Sequence, residues 1–240
     1  MKNAIALLVY ILFCSIADAQ PAEAPDPDPH RFDDEIARFI QWDKKNSFPE
    51  DALLFVGSSS IRLWMTGESF PDFHVINRGF GGAHISDVNY FIEPTVLKYF
   101  PEVIVFYAGD NDIAGDKTPA QVLEDYQAFV QSVLANRSDT KILYLPIKPS
   151  IARWQFWPQM EQANKLIEDY CTLNTNLWYT DTASPMLQMG TPPPPELFVD
   201  DGLHLSDQGY QMWNDILMPV LQQVLSDSPT PSRPEGLELR

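Results

Sequence analysis

The sequence predicts an α/β protein in which a central parallel sheet is covered on both faces by helices. Two observations carry this. Short apolar runs without polar alternation recur along the chain, as in strands buried on both sides. Between them lie longer segments with helical spacing, and strands alternating with helices of that length imply parallel pairing. The balance of 16 Lys+Arg against 33 Asp+Glu gives a formal net charge of -17, so the chain lacks the basic footprint that nucleic acid requires. At 240 residues, with 45% hydrophobic composition, one globular domain with a sizeable core is expected.

Taken in order, the chain opens with Lys2, an apolar run over 4–16 and then Ala17, Asp18 and Ala19, the form of a signal-peptidase site. The run is short for a membrane span, which needs about 20 residues. Residues 1–19 therefore read as a signal peptide, with export to the periplasm or medium and no stable membrane insertion after cleavage. Only Cys171 then remains, so no internal disulfide is possible, and its apolar surroundings suit buried packing. Residues 20–29 (QPAEAPDPDP) alternate proline and acid and read as a flexible linker. The domain proper is placed at 30–225.

Within it, Phe32, Ile36, Phe39 and Ile40 recur at helical spacing, with Asp33, Asp34 and Glu35 favourably placed at the helix start. Buried strands are read at 52–56, 75–76, 103–107, 142–145 and 177–179, and helices at 87–99, 119–135, 159–173 and 206–224. Residues 226–240 are rich in serine and proline, lack a core pattern and read as a disordered tail.

Ligands of open parallel sheets bind beyond the carboxyl ends of the strands, so the loops after each apolar run matter most. Four polar, glycine-containing segments stand there or just ahead of the last helix: GSSS at 57–60, NRGFGG at 77–82, AGDND at 108–112 and DDGLH at 200–204. A serine at a strand-to-helix turn is held out on a tight corner, with backbone N–H groups facing a developing anion. Ser59 is the candidate nucleophile. Asp201 stands three residues before His204, close enough in a turn to orient one ring nitrogen while the other faces the nucleophile. His84, with Asp87 three residues on, is a rival base. An ester's oxyanion needs fixed donors, which the N–H groups of Ser59 and Gly82 and the Asn111 amide can supply. Taken singly, each segment also has an ordinary structural reading as an N-cap, turn glycine or Asx turn.

Together the four segments resemble the SGNH (GDSL-like) hydrolase superfamily in order and content. The resemblance spans about 52–215: LLFVGSSSI carries Ser59, NRGFGG carries Gly82, Gly109 to Asp112 match G-x-N-D and give Asn111, and Asp201 to His204 match D-x-x-H. It implies a flavodoxin-like three-layer α/β/α sandwich and hydrolysis of acyl esters by Ser59, His204 and Asp201, without metal or other cofactor. One departure stands out: the family's G-D-S reads Gly57-Ser58-Ser59, so the acid before the nucleophile is replaced by serine.

Arg62, Trp64, Arg78, Phe80, Arg153 and Trp154 lie on or near the functional loops and are expected to contact substrate, with Trp157 close by. Stacking on sugar rings and buried packing are equal readings for the aromatics. Asp110, Asp112, Asp200 and Asp201 show no regular cation-loop spacing. The expected substrate is a small-molecule or glycan ester with a short acyl group such as acetyl. The alternatives are a lysophospholipase or thioesterase of longer chains, or a carbohydrate-binding protein that keeps the fold without the reaction. Oligomeric state is left open.

Overall fold

The computed structural model describes residues 24–49 and 52–226, so the proposed signal peptide, residues 20–23 and residues 227–240 lie outside the described residues. Five strands form the sheet: β1 (Leu53–Gly57), β2 (Val75–Gly79), β3 (Val103–Tyr107), β4 (Lys141–Tyr144) and β5 (Leu177–Tyr179). They pair only in parallel, in the order β2-β1-β3-β4-β5. This is the flavodoxin-like order expected above. Its switch point falls between β1 and β3, where ligands of such sheets bind.

Because successive strand residues face opposite sides, each apolar run feeds two cores. Leu54, Val56, Ile104, Phe106, Ile142 and Tyr144 enter one core. Helices α1 (Asp33–Asp43), α4 (Ile85–Tyr90), α7 (Pro119–Asn136) and α8 (Trp157–Cys171) close it with Ile36, Val88, Phe129 and Ile167. Leu53, Phe55, Val103, Val105, Tyr107 and Leu143 enter the other, against Trp64 and, from α10 (Asp207–Ser226), Trp213, Leu217, Leu221 and Val224. Those four α10 residues recur every three or four positions, which puts them on one face. The remaining short helices are α2 (Ser59–Arg62), α3 (Thr66–Ser69), α5 (Ile92–Thr95), α6 (Asp110–Ala114) and α9 (Ala183–Met189). The result is the α/β/α sandwich. Cys171 is buried in the first core, and burial pushes its thiol up to about 11.

Four expectations are corrected. The helix expected over 87–99 is interrupted at Phe91, between α4 and α5, where Pro94 has no N–H to give Tyr90 O, and again at Val96, after which a 3-10 turn follows at Leu97–Tyr99. β2 extends through Asn77, Arg78 and Gly79, residues expected in a loop. Residues 24–28, expected as a flexible linker, lie against α7: Asp26 pairs with Lys117 at 2.6 Å, and Gln121 Nε2 donates to Ala24 O at 3.1 Å. An acidic segment has found a buried cation. Helix α10 continues through Ser226, one residue past the expected domain end.

Candidate active site

Three strand ends build the site. β1 stops at Gly57, whose φ of +140° is a glycine conformation and whose missing Cβ would otherwise lie 1.8 Å from Tyr107 O. The chain is pinched there: Ser58 N donates to Tyr107 O at 2.9 Å, and Phe80 N donates to Gly57 O at 3.0 Å. Helix α2 begins at once. Ser58 and Ser60 turn inward and are buried, while Ser59 remains partly exposed, so only one of the three serines presents its hydroxyl.

The 199–204 loop brings the opposing groups. Val199 N donates to His204 O and Gly202 N to Val199 O, both at 2.9 Å, and Gly202 adopts a φ of +64°. His204 Nε2 then lies 2.9 Å from Ser59 Oγ, and Nδ1 lies 2.6 Å from Asp201 Oδ2. The other carboxylate oxygen, Oδ1, accepts from the N–H groups of Leu203 at 2.8 Å and His204 at 2.9 Å. Burial of Asp201 opposes its charge. The bonds from His204 and these two N–H groups outweigh it and hold the acid at about 2. An ionised carboxylate only accepts, so Nδ1 carries the proton and Nε2 is free to accept from the serine hydroxyl.

His84 does not share this geometry. Its ring approaches Asp112 at 3.8 Å, and burial, with help from Lys117 and Arg31, lowers its pKa to about 4. It is neutral at pH 7, so that approach is not an ion pair. Its backbone N–H donates to Asp87 Oδ2 at 2.8 Å, which fixes the start of α4.

Gly82, with φ +81°, sits in the loop between β2 and α4, exposed and with open space where a Cβ would stand. Asn111, in the first turn of α6, donates from Nδ2 to Ala83 O at 3.0 Å and accepts at Oδ1 from Arg153 Nη2 at 2.9 Å. The Asn111 side chain is thereby tied to the Gly82 loop.

Of the side chains expected to contact substrate, three do something else. Trp64 is 2% exposed and donates its indole N–H to Asn214 Oδ1 at 2.9 Å, stacking near Phe55, Tyr210 and Trp213. Arg78 is 7% exposed because it belongs to β2, where it pairs with Asp43 at 2.6 Å and donates to Tyr99 Oη at 2.6 Å. Phe80 is 0% exposed, edge-on to Phe32 and Phe91. Arg62 is exposed and its guanidinium lies over Gly81, beside Gly82. Arg153 binds Asn111 and pairs with Asp110 at 3.1 Å. Trp154 is half-buried, parallel to Trp157 with 6.2 Å between ring centres. Two of the other acids weighed above as cation ligands have protein partners: Asp110 has Lys148 and Arg153, and Asp112 has Lys117 and the N–H of Ile85, while Asp200 is exposed.

Sequence reasoning missed Lys148. It is 1% exposed, donates to Tyr107 Oη at 3.1 Å and pairs with Asp110 at 3.4 Å. Burial opposes the Asp110 charge, and Lys148 and Arg153 overcome it, keeping the acid below the usual carboxylate range. The available signal was a lone cation in an apolar run, LYLPIKPSI, just after β4. A groove of about 940 Å³ opens beside Asp201 and His204, flanked by Leu63, Met65, Val199 and Met218. No helix among the described residues is long and apolar enough to cross a membrane.

The model of the GDSL-like lipase/acylhydrolase family matches residues 64–212, more than half of the chain, and takes in Gly82, Asn111, Asp201 and His204. The curated proteins contain no significant match. Among solved structures, a GDSL-like lipase from Bacteroides thetaiotaomicron superposes with a TM-score of 0.68 at 19% identity, covering 78% of this chain and 97% of its own. A protein assigned as an acylhydrolase from Bacteroides fragilis gives 0.68 at 20% identity, covering 79% and 96%. A carbohydrate esterase family 3 protein from Talaromyces cellulolyticus gives 0.61 at 16% identity, covering 75% and 100%. At these identities the likeness is one of fold.

Proposed function

Because the chain belongs to the GDSL-like lipase/acylhydrolase family, whose chemistry is ester hydrolysis, we propose that it is a serine esterase removing short acyl groups, acetyl foremost, from neutral carbohydrate. The carrying observation is the unbroken series Ser59 Oγ, His204 Nε2, His204 Nδ1, Asp201 Oδ2, with steps of 2.9 and 2.6 Å across the ring. Ser59 attacks the acyl carbonyl as His204 takes its proton, and Asp201 supports the imidazolium that forms. The oxyanion is met by the N–H groups of Ser59 and Gly82 and by the Asn111 amide. His204 then protonates the departing alcohol and activates the water that hydrolyses the acyl-enzyme. The carbohydrate part of the reading draws support from the carbohydrate esterase among the structural neighbours and from the chain's acidity, which disfavours polyanions. Export rests on the 4–16 apolar run and the small-residue site ending at Ala19.

A second reading has its own observation. Leu63, Met65 and Val199 are exposed along the groove beside His204, which suits a longer acyl chain. Hydrolysis of acetyl, butyryl and octanoyl p-nitrophenyl esters and of acetylated xylo-oligosaccharides by the purified protein separates the two. The proposal expects kcat/KM to fall with chain length and acetate to be released from the glycan; preference for octanoyl would favour the second reading. No turnover of any ester would end both. Asn111→Ala is expected to lower kcat by about a hundredfold or more.

A further inference from the structure

Arg153 is a cation expected to meet substrate, yet both arms of its guanidinium are engaged by protein. Nη2 donates to Asn111 Oδ1 at 2.9 Å, and Nη1 stands 3.1 Å from Asp110 Oδ2. On the far side of Asn111, Nδ2 donates to Ala83 O at 3.0 Å. A guanidinium can only donate and a carbonyl can only accept, so the two neighbours together dictate which end of the amide is oxygen. Were the amide rotated by half a turn, its oxygen would face Ala83 O and its N–H groups would face a cation. Both contacts would be repulsive.

This matters because Nδ2 has two N–H bonds and Ala83 O occupies one. The other has no protein acceptor among the described residues and remains available for a developing anion. A charged donor on Oδ1 also polarises the amide and strengthens its N–H groups as donors. The surroundings work in the same sense. Lys148 and Arg153 share the single carboxylate of Asp110, which leaves a positive surplus behind Asn111 in a chain whose net charge is -17. The Arg153 loop is itself anchored, since Ala152 N donates to Gly202 O at 3.0 Å within the segment that carries Asp201 and His204.

We propose that Arg153 is a positioning residue, whose hydrogen bond to Asn111 and ion pair with Asp110 fix the Asn111 amide with its nitrogen toward the oxyanion and raise its donor strength. The proposal rests on the oxyanion role given to Asn111 above. It gives Arg153 a task on the protein side of Asn111 in place of contact with substrate.

A double-mutant cycle on the full chain tests it, with p-nitrophenyl acetate as substrate and Arg153→Ala, Arg153→Lys, Asn111→Ala and Arg153→Ala/Asn111→Ala as variants, each checked for cooperative unfolding. Loss of one charge-assisted bond should lower kcat by about tenfold in Arg153→Ala while KM stays within about twofold. Arg153→Lys, which keeps the charge but lacks the planar fork, should fall between Arg153→Ala and wild type; if Arg153→Ala does not fold, the Lys variant carries the same cycle. In the Asn111→Ala background, removing Arg153 should change kcat by less than about twofold, because the group it acts through is gone. The proposal is overturned if Arg153 substitution raises KM at unchanged kcat, or if its full effect persists without Asn111. An Asn111→Ala enzyme with wild-type kcat would instead remove the oxyanion reading on which the proposal stands.

Discussion

At the scale of single residues, environment decides which of two similar groups can do chemistry. His84 and His204 each have an aspartate three residues away in sequence, on opposite sides. The Asp201 turn aims His204 at Ser59, whereas His84 is packed against Asp112 and Lys117 and kept neutral. A buried neutral histidine has a measurable cost in acid. Its pKa is near the ordinary 6.5 when unfolded and about 4 when folded, so the unfolded chain binds the extra proton first as pH falls. Stability present above pH 6.5 is therefore lost toward pH 4. Between pH 7 and pH 5 the wild type should lose about 2 kcal/mol relative to His84→Gln, read from urea unfolding at the two pH values. A pH-independent difference would mean the ring is not desolvated. Part of this is legible in the sequence: Ser59, Asp201 and His204, which the fold brings within hydrogen-bond distance, each sit in a short motif whose chemistry depends on near neighbours, while Gly82 and Asn111 hold the oxyanion role as proposed above. Arg78 is buried in an ion pair because its partner, Asp43, comes from a distant part of the chain, and of the two readings open for Phe80 and Trp64 burial holds, against Phe32 and Asn214, equally distant in sequence.

At the scale of elements, the least expected feature is the described part of the linker, 24–29. It reads locally as solvated chain, and nothing near it in sequence reveals that Lys117 lies within reach. Lys117 is 4% exposed and meets Asp26 and Asp125 at 2.6 Å and Asp112 at 3.3 Å, while Arg31 bonds Asp87. Asp87 and Asp112 in turn accept from the N–H groups of His84 and Ile85, just after Gly82. The partners should contribute unequally. Asp26 is largely exposed, so Asp26→Asn should cost less than about 1 kcal/mol. Burial raises the Asp112 acid to about 7 even beside Lys117, so in Lys117→Ala Asp112 takes up a proton, and losing the contacts to Asp112, Asp125 and Asp26 together should cost about 1–3 kcal/mol. Denaturant midpoints at constant m compare the two, and equal losses would contradict this ranking. β1 and β3, by contrast, were legible, since a five-residue apolar run has few alternatives to burial on both faces, whereas β2 was read only at Val75 and Ile76 because Asn77, Arg78 and Gly79 break the apolar pattern. The helix over 87–99 was not, because its apolar spacing concealed the interruptions at Phe91 and Val96 on either side of α5.

At the scale of the whole molecule, a net charge of -17 surrounds a site whose inner cluster is positive. The outer field repels polyanions over about a Debye length, roughly 8 Å at physiological salt. For an acetyl ester on a uronic-acid oligosaccharide, kcat/KM should therefore rise as salt is raised from about 0.02 M, while a neutral acetylated xylo-oligosaccharide should show little change. Equal salt responses would argue that the outer charge is irrelevant to substrate choice. In the proposed mechanism His204 makes Ser59, and neither buried neighbour, nucleophilic. Treating the protein with a fluorophosphonate ester and mapping the adduct by peptide mass spectrometry should then give one adduct per chain, on Ser59, absent from Ser59→Ala and His204→Ala. An adduct on Ser58 or Ser60, or one that survives either substitution, would contradict it.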